Sequence, residues 1–325
     1  MSTPFGAFSR MPKRVPLPPE LRAGPFLFRE ARDHAVGAGR LRSADLDTPF
    51  RGVRVRVDAT SGGDDQFLTR RAAYAPLLVH GRFFSHLTSA RLWGVPLPQA
   101  FEAGEPLHVS CQWPVVAPRM VGILGHQTRD AHFSVTLRRG FKVSDPISMW
   151  LSLGGILPPN ELIVVADYLI LDPAVLDPLD LRPHATLEQL QSRLESFRGR
   201  GSRALQRALP HVRMGSESRP ETLLRLLLLG AGLPEPALNV VVTAPNGRVL
   251  GRGDMIYERW HTIVEYDGDQ HRTSTRQYDR DIHRLDSFRD AGWRVVQVRS
   301  RGLFVNRAET VSRVAAALKA DGWPG

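Results

Sequence analysis

The chain has 325 residues, 42% of them hydrophobic, with a mean hydropathy of −0.21, enough for two or three domains with their own cores. A lone cysteine, Cys111, excludes an intramolecular disulfide and a cysteine-based zinc cluster, and no apolar run approaches the roughly 18 residues of a membrane span. The net charge is +10, and with lysine only at positions 13, 142 and 319, 40 of the 43 basic residues are arginine, which points to a polyanionic partner, nucleic acid rather than membrane.

Residues 1–24 are Pro-rich and basic without periodicity and read as a flexible tail. They carry Pro and Arg where a signal peptide needs an apolar core, so a cytoplasmic location is expected. Residues 25–60 read as a small helical unit closed by a strand. Phe28–Ala35 is a short helix, Gly37–Gly39 a turn, Arg40–Leu46 a second helix, and Arg51–Arg56 alternates as a strand. Helix, turn, helix and basic strand resemble the winged helix-turn-helix at the start of AbiEi-type antitoxins. The resemblance implies DNA as partner, with the second helix in the major groove and the strand pair on the backbone. Arg40, Arg42, Arg51 and Arg54 are then the DNA-facing candidates; the alternative is four solvated arginines on a structural domain. A homodimer and a toxin or defence-system partner are the further assemblies considered.

A polar linker, Ser61–Asp65, leads to a mixed α/β middle region, residues 71–212. Ser85 caps a helix that runs to Trp93 and stops at Gly94 and Pro96. Strands are predicted at Leu107–Gln112, Val121–Gly125 and Phe133–Leu137. Ser144-Asp-Pro opens a helix to Leu153, and Asn160 is expected to cap one to Leu171. Ser85-His86…Thr88…Ala90 resembles the matching stretch of AbiEi-like proteins, and His86 reads as an ordinary helix histidine. There is no Gly-rich phosphate loop, nucleophile elbow or HExxH here. Two short helical patterns, Leu187–Leu194 and Ser202–Leu209, flank Arg198-Gly-Arg-Gly in the most basic stretch of the chain, which is either a solvated face or a track for a DNA backbone.

Residues 213–325 carry the chemistry. Ser218-Arg-Pro-Glu221 has the spacing of a capping box and precedes a Leu-rich helix that is apolar except at Arg225. Asn239–Thr243 and Arg248–Tyr257 form a hairpin about Asn246-Gly247. A second turn at Arg259–Trp260 pairs Arg248–Tyr257 with His261–Asp267, so that facing positions sum to 519 and Asp254 stands opposite Glu265, about 5 Å away. Asp267 leaves the same face two residues on. Three carboxylates on one face repel unless a cation lies among them. Either a hard divalent ion, Mg²⁺ or Mn²⁺, fills that place, or one acid pairs with Arg252 or Arg294 and the rest are solvated. A helix follows over Gln277–Ala291 with Tyr278, Ile282, Leu285 and Phe288 as its stripe and Asp281 paired to Arg284. Trp293–Arg299 is a strand, and Asn306–Ala320 an amphipathic helix with Ala308, Val311, Val314, Ala315 and Leu318 inward.

The run Glu221…Asp254…Glu265-Tyr-Asp267-Gly268…His271…Asp281…Arg284…Gly292-Trp-Arg-Val-Val resembles the nuclease-like domain related to very-short-patch-repair endonucleases, of the PD-(D/E)XK superfamily. The resemblance covers the last third of the chain. Together these patterns predict an α/β (α+β) multidomain protein with a winged helix-turn-helix-like N-terminus, a mixed middle and a restriction-endonuclease-like C-terminal domain. The implied activity is Mg²⁺- or Mn²⁺-dependent DNA endonuclease or nickase, in phage defence or DNA repair, with Asp254 and Glu265 holding the metal. Glu221 and Asp267 would ligand a second ion or orient water, and Glu221 reads equally well as a helix cap. His271 reads as general base or acid, or as a turn residue bonding an acid. Asp267 stands where the superfamily usually has lysine, so cationic help falls to Arg252 or Arg272. Two other functions stay open: a DNA-binding regulator or antitoxin whose nuclease-like domain does not cut, and an RNA-directed nuclease.

Overall fold

The computed structural model describes residues 15–57, 66–79, 81–102, 104–268 and 275–325, with side chains in the last segment from residue 282. Over these residues the chain is mixed α/β with three β-sheets, and it divides into two units. One comprises Met1–Phe84, Ala100–Arg129 and Leu137–Val143; the other comprises Ser85–Gln99, Asp130–Thr136 and Ser144–Gly325. Among the described residues no helix is long and apolar enough to cross a membrane.

The first unit begins inside the stretch predicted as a tail. Leu17 and Leu21 are buried against Phe26, Ala31, Val36 and Leu41, so these two residues belong to a core. β1 (Phe26–Leu27) leads into α1 (Phe28–Asp33), and β2 (Leu46–Asp47) and β3 (Val53–Arg56) complete an antiparallel sheet of order β1-β3-β2. The second helix predicted over Arg40–Leu46 is not formed; only a 3₁₀ turn, Arg40–Arg42, stands there. Its side chains explain why. Arg40 Nη2 binds Asp45 Oδ2 at 2.8 Å, and Ser43 Oγ donates to the Arg40 carbonyl, which ends the turn after one cycle. α2 (Gln66–Tyr74), β4 (Arg82–Phe84), β5 (Leu107–Gln112), β6 (Ile123–Thr128), β7 (Val135–Arg138) and β8 (Phe141–Ser144) follow, the strands forming a sheet of order β6-β5-β4-β8-β7.

The second unit starts with α3 (His86–Trp93), stopped at Gly94 with φ 76°. α4 (Pro146–Leu153) is capped by Asp145, whose carboxylate accepts from Ile147 N at 3.0 Å and Ser148 N at 3.1 Å. α5 (Pro159–Ile170) begins one residue before Asn160, because Pro159 supplies a first-turn φ and Pro158 takes the cap position. α6 (Leu187–Ser196) and α7 (Ser202–Ala208) match their predicted patterns, and α8 (Arg219–Gly230) is the Leu-rich helix. Polar contacts cross residue 213. Arg225 of α8 is fully buried and donates to Asp167 Oδ2 of α5 at 2.9 Å, while Thr222 Oγ1 and Arg213 N bond the same carboxylate.

β9 (Ala237–Thr243), β10 (Val249–Tyr257), β11 (Thr262–Asp267), α9 (Thr275–Asp290), β12 (Arg294–Arg299), α10 (Ser300–Phe304) and α11 (Arg307–Ala320) complete the unit. The sheet order is β12-β11-β10-β9, antiparallel except for the parallel β11–β12 pair. Strand alternation sorts two cores. Met255 and Val264 pack with Leu224, Leu228, Val314 and Leu318 on one face. Ile256 and Ile263 pack with Leu285 and Phe288 on the other. Ala308, predicted inward, is exposed, and Thr310 is buried in its stead. The β10–β11 turn is a 3₁₀ turn at Glu258–Trp260 closed by His261 in the left-handed region (φ 39°), not a two-residue turn. It is symmetric about the same point, so the register is the predicted one: Met255 pairs with Val264, Ile256 with Ile263 and Tyr257 with Thr262.

Candidate active site

Backbone pairing between β10 and β11 ends at Met255–Val264, and the two acids take over from there. Asp254 N donates to Glu265 Oε1 at 3.3 Å, and Tyr266 N donates to Asp254 Oδ2 at 2.8 Å. Each carboxylate therefore stands in for a backbone carbonyl, wedged between the strands. Gly253 makes the approach feasible: a methyl there would lie 2.5 Å from Ile256 Cδ1 and 3.3 Å from Glu265 Oε1. By strand parity Asp254 and Glu265 share the face of Ile256 and Ile263, the side on which α9 packs.

Asp254, Glu265, Asp267 and Glu221 line one cleft of about 480 Å³. Glu265 is buried at 5% exposure. Burial pushes the Asp254 carboxyl well above the usual carboxylate range, and the charges of Glu265 and Glu221 push it further, against the Tyr266 N–H and Arg284. Burial raises Glu265 as well, opposed mainly by Arg284. Both shifts record one fact: negative charge is crowded here in a poorly solvated place.

Glu221 sits beside the cap of α8 and lines the cleft. Ser218 caps α8, accepting from Glu221 N at 3.3 Å, and its hydroxyl donates to Glu221 Oε1 at 2.7 Å. Glu217 N at 2.9 Å and Asn239 Nδ2 at 3.0 Å donate to Oε2, which holds the carboxylate at the cleft. Asp267 is ion-paired to the exposed Arg299 at 2.8 Å. Arg252 lines the cleft and pairs with Glu217, while Arg294 pairs with Asp321 at 2.7 Å, away from the three acids. The cation that reaches Glu265 is Arg284 of α9, whose Nη1 lies 3.0 Å from Glu265 Oε2 and donates to the Arg252 carbonyl at 2.6 Å. Helix spacing alone pairs Arg284 with Asp281. The signal that could have found its true role is its place one residue before Leu285 and four before Phe288, both of which face the sheet. His271, Arg272 and the side chain of Asp281 lie outside the described residues.

The arginines expected to face DNA are in the other unit. Arg40 is occupied by Asp45, and Arg54 Nε donates to the Leu41 carbonyl at 2.7 Å with its guanidinium 5.3 Å from the Phe28 ring centre. These two hold their own domain together. Arg42 and Arg51 are exposed.

The donor set suits a hard divalent cation. Five acids line the cleft (Glu217, Glu221, Asp254, Glu265, Asp267) against two arginines (Arg252, Arg284), so acidic groups outnumber basic ones. Asp254 Oδ1 accepts no hydrogen bond among the described residues, so a carboxyl oxygen of a half-buried residue is left for a ligand. No protein-family model, curated protein or solved structure matches the chain.

Proposed function

We propose that this protein is a divalent-cation-dependent DNA endonuclease or nickase that hydrolyses phosphodiester bonds. The observation that carries the proposal is the facing pair Asp254 and Glu265, two crowded carboxylates with an oxygen open to a cleft. These two would hold Mg²⁺ or Mn²⁺; such an ion, when bound, offsets their charge, acidifies a water and stabilises charge on the phosphate. In the reaction a water oxygen forms a new bond to phosphorus, one ester P–O bond breaks, and the departing oxygen takes a proton. Glu221, fixed by three donors, orients groups at the cleft without itself moving. Arg284 supplies the positive charge that the superfamily draws from lysine, whose place Asp267 takes. The α–β–β–β–α–β order of α8 to β12, with the acids where the hairpin splays, agrees with a restriction-endonuclease-like core; this is a fold-level analogy.

DNA as substrate is supported by the net charge of +10 and by the exposed Arg198, Arg200, Arg203 and Arg207 around the α6–α7 connection. The β1-β3-β2 sheet with α1 agrees with a wing-like module, in which Arg42 and Arg51 are the arginines left for phosphates. The test is cleavage of supercoiled plasmid with Mg²⁺ or Mn²⁺ beside an Asp254→Asn control, together with calorimetry of metal binding. Nicked or linear product from the wild type alone is expected.

A second function is favoured by one specific observation: Glu265 and Asp267 already have arginine partners, Arg284 and Arg299. A DNA-binding regulator or antitoxin with a non-cutting nuclease-like domain would look like this. No cleavage and no metal binding, with DNA binding intact, would put that function in place of the nuclease.

A further inference from the structure

We infer that Arg284 is a resident counter-ion of Glu265 which a divalent cation must displace, so that metal and a phosphodiester bind the cleft synergistically. The inference rests on the metal-site proposal above and concerns how that site is regulated.

Arg284 is seated at four points. Nη1 lies 3.1 Å from Glu265 Oε1 and 3.0 Å from Oε2, and it donates to the Arg252 carbonyl at 2.6 Å. The guanidinium stands 5.8 Å from the Phe288 ring centre. The aliphatic stem crosses β10 where Gly251 leaves room: a methyl there would lie 2.7 Å from Cγ and 2.9 Å from Cδ of Arg284. Gly251 also has φ 149°, a conformation that L side chains rarely adopt. Strand, helix and aromatic ring are thus all shaped around this one side chain.

The seat conflicts with a metal. Glu265 Oε1 already accepts from Asp254 N and from Arg284. A dication held by Asp254 and Glu265 would stand within a few ångströms of a guanidinium, in a place where charges are poorly screened. One of the two cations has to yield. Asp254 is held by the Tyr266 N–H, whereas Arg284 is 27% exposed and borders the cleft, so the arginine is the group placed to yield. A phosphodiester in the cleft offers it another anion, with bidentate geometry available. Metal entry releases the guanidinium, and the phosphate rewards its release. By linkage each ligand then tightens the binding of the other.

The test is Mn²⁺ binding by calorimetry on the full chain: wild type, Arg284→Gln and Arg284→Lys. Removing a unit charge beside a dication should tighten Mn²⁺ binding by about tenfold or more in Arg284→Gln. Arg284→Lys keeps the charge and should stay near wild type. Equal or weaker Mn²⁺ binding by Arg284→Gln, with the wild type binding, overturns the inference and leaves the metal-site proposal standing. No binding by either protein overturns both. Wild-type protein supplies a second measurement that does not depend on the variant folding. In ¹⁵N spectra of the arginine side chains, the Arg284 signals should move on Mg²⁺ saturation and move again when a short duplex is added. Signals unchanged by saturating Mg²⁺ would show the Glu265 pair intact and sink the idea.

Discussion

Asp254 is an acid that the fold holds under electrostatic stress. Its native pKa is raised above the ordinary value by burial and by Glu265 and Glu221, so the native state holds this proton more tightly than the unfolded chain does. The sign follows for this group: its contribution to metal-free stability is greatest in acid and declines as pH rises from the ordinary carboxylate range through the raised value. His108 and His126, whose values burial lowers, instead lose stability as pH falls below the ordinary imidazole range. In EDTA, the Tm of the wild type relative to that of Asp254→Asn should therefore fall between pH 5 and pH 8, and saturating Mg²⁺ should restore much of the difference. Asp167, raised to about 6 by its burial, works in the same direction. The Asp254→Asn comparison isolates the site's share, because His108 and His126 are unchanged in both proteins. An unchanged slope in that variant would remove the claim. At this scale the acids are legible in the sequence because period-two spacing and a turn symmetric about residue 259.5 suffice to face Asp254 to Glu265. Arg284 is not, because it reaches Glu265 across 19 residues of chain and a sheet–helix interface, for which no local pattern exists.

Elements are legible wherever capping and alternation act locally. Asp145 at the head of α4, Ser218 at the head of α8, Gly94 after α3 and the strand β5 all follow from near neighbours. The failures share a cause: side chains that redirect the backbone or cross between elements. Arg40–Leu46 has the composition of a helix, yet the Arg40–Asp45 pair folds it into a single turn. The packing of α5 on α8 escapes a sequence reading because Arg225, the one charged residue of the Leu-rich run 223–229, is buried against Asp167, 58 residues away, where no local pattern points. Arg225 and Asp167 form a buried ion pair, and breaking it from one side leaves an uncompensated charge. Arg225→Met alone should destabilise the protein by about 3–5 kcal/mol in urea unfolding. The double change Arg225→Met with Asp167→Leu should recover a large part of that loss. Equal losses in the single and double variants would mean that packing, not charge, sets the cost.

Over the whole molecule, the net charge of +10 is carried almost wholly by arginine, while the cleft carries an excess of acids. On the proposed function, a basic surface would attract the DNA backbone and an acidic cleft would resist it, so that affinity and chemistry would be served by different parts of the chain. Binding to a nonspecific duplex should fall steeply between 50 and roughly 200 mM salt, since it releases counterions. Replacing Arg203 and Arg207 with Gln should weaken binding and reduce the slope of log affinity against log salt by about one for each phosphate that the surface no longer neutralises. An unaltered slope would exclude the α6–α7 surface from the interface. Asp254→Asn, in contrast, should leave affinity equal or higher, because it removes a charge that opposes the polyanion.

The two hydrogen bonds that wedge β10 from β11 have a use beyond holding the strands. The amide protons of Asp254 and Tyr266 each point at a carboxylate rather than a carbonyl. A carbonyl is the same acceptor at every pH, but a carboxylate weakens as an acceptor when it takes up a proton or shares its electrons with a metal. These two backbone signals are therefore built-in reporters. Their chemical shifts and deuterium-exchange rates should follow the state of the site while the other amides of β10 and β11 stay still. The sheet itself can be read as the indicator of what its acids hold, without label, substrate or turnover.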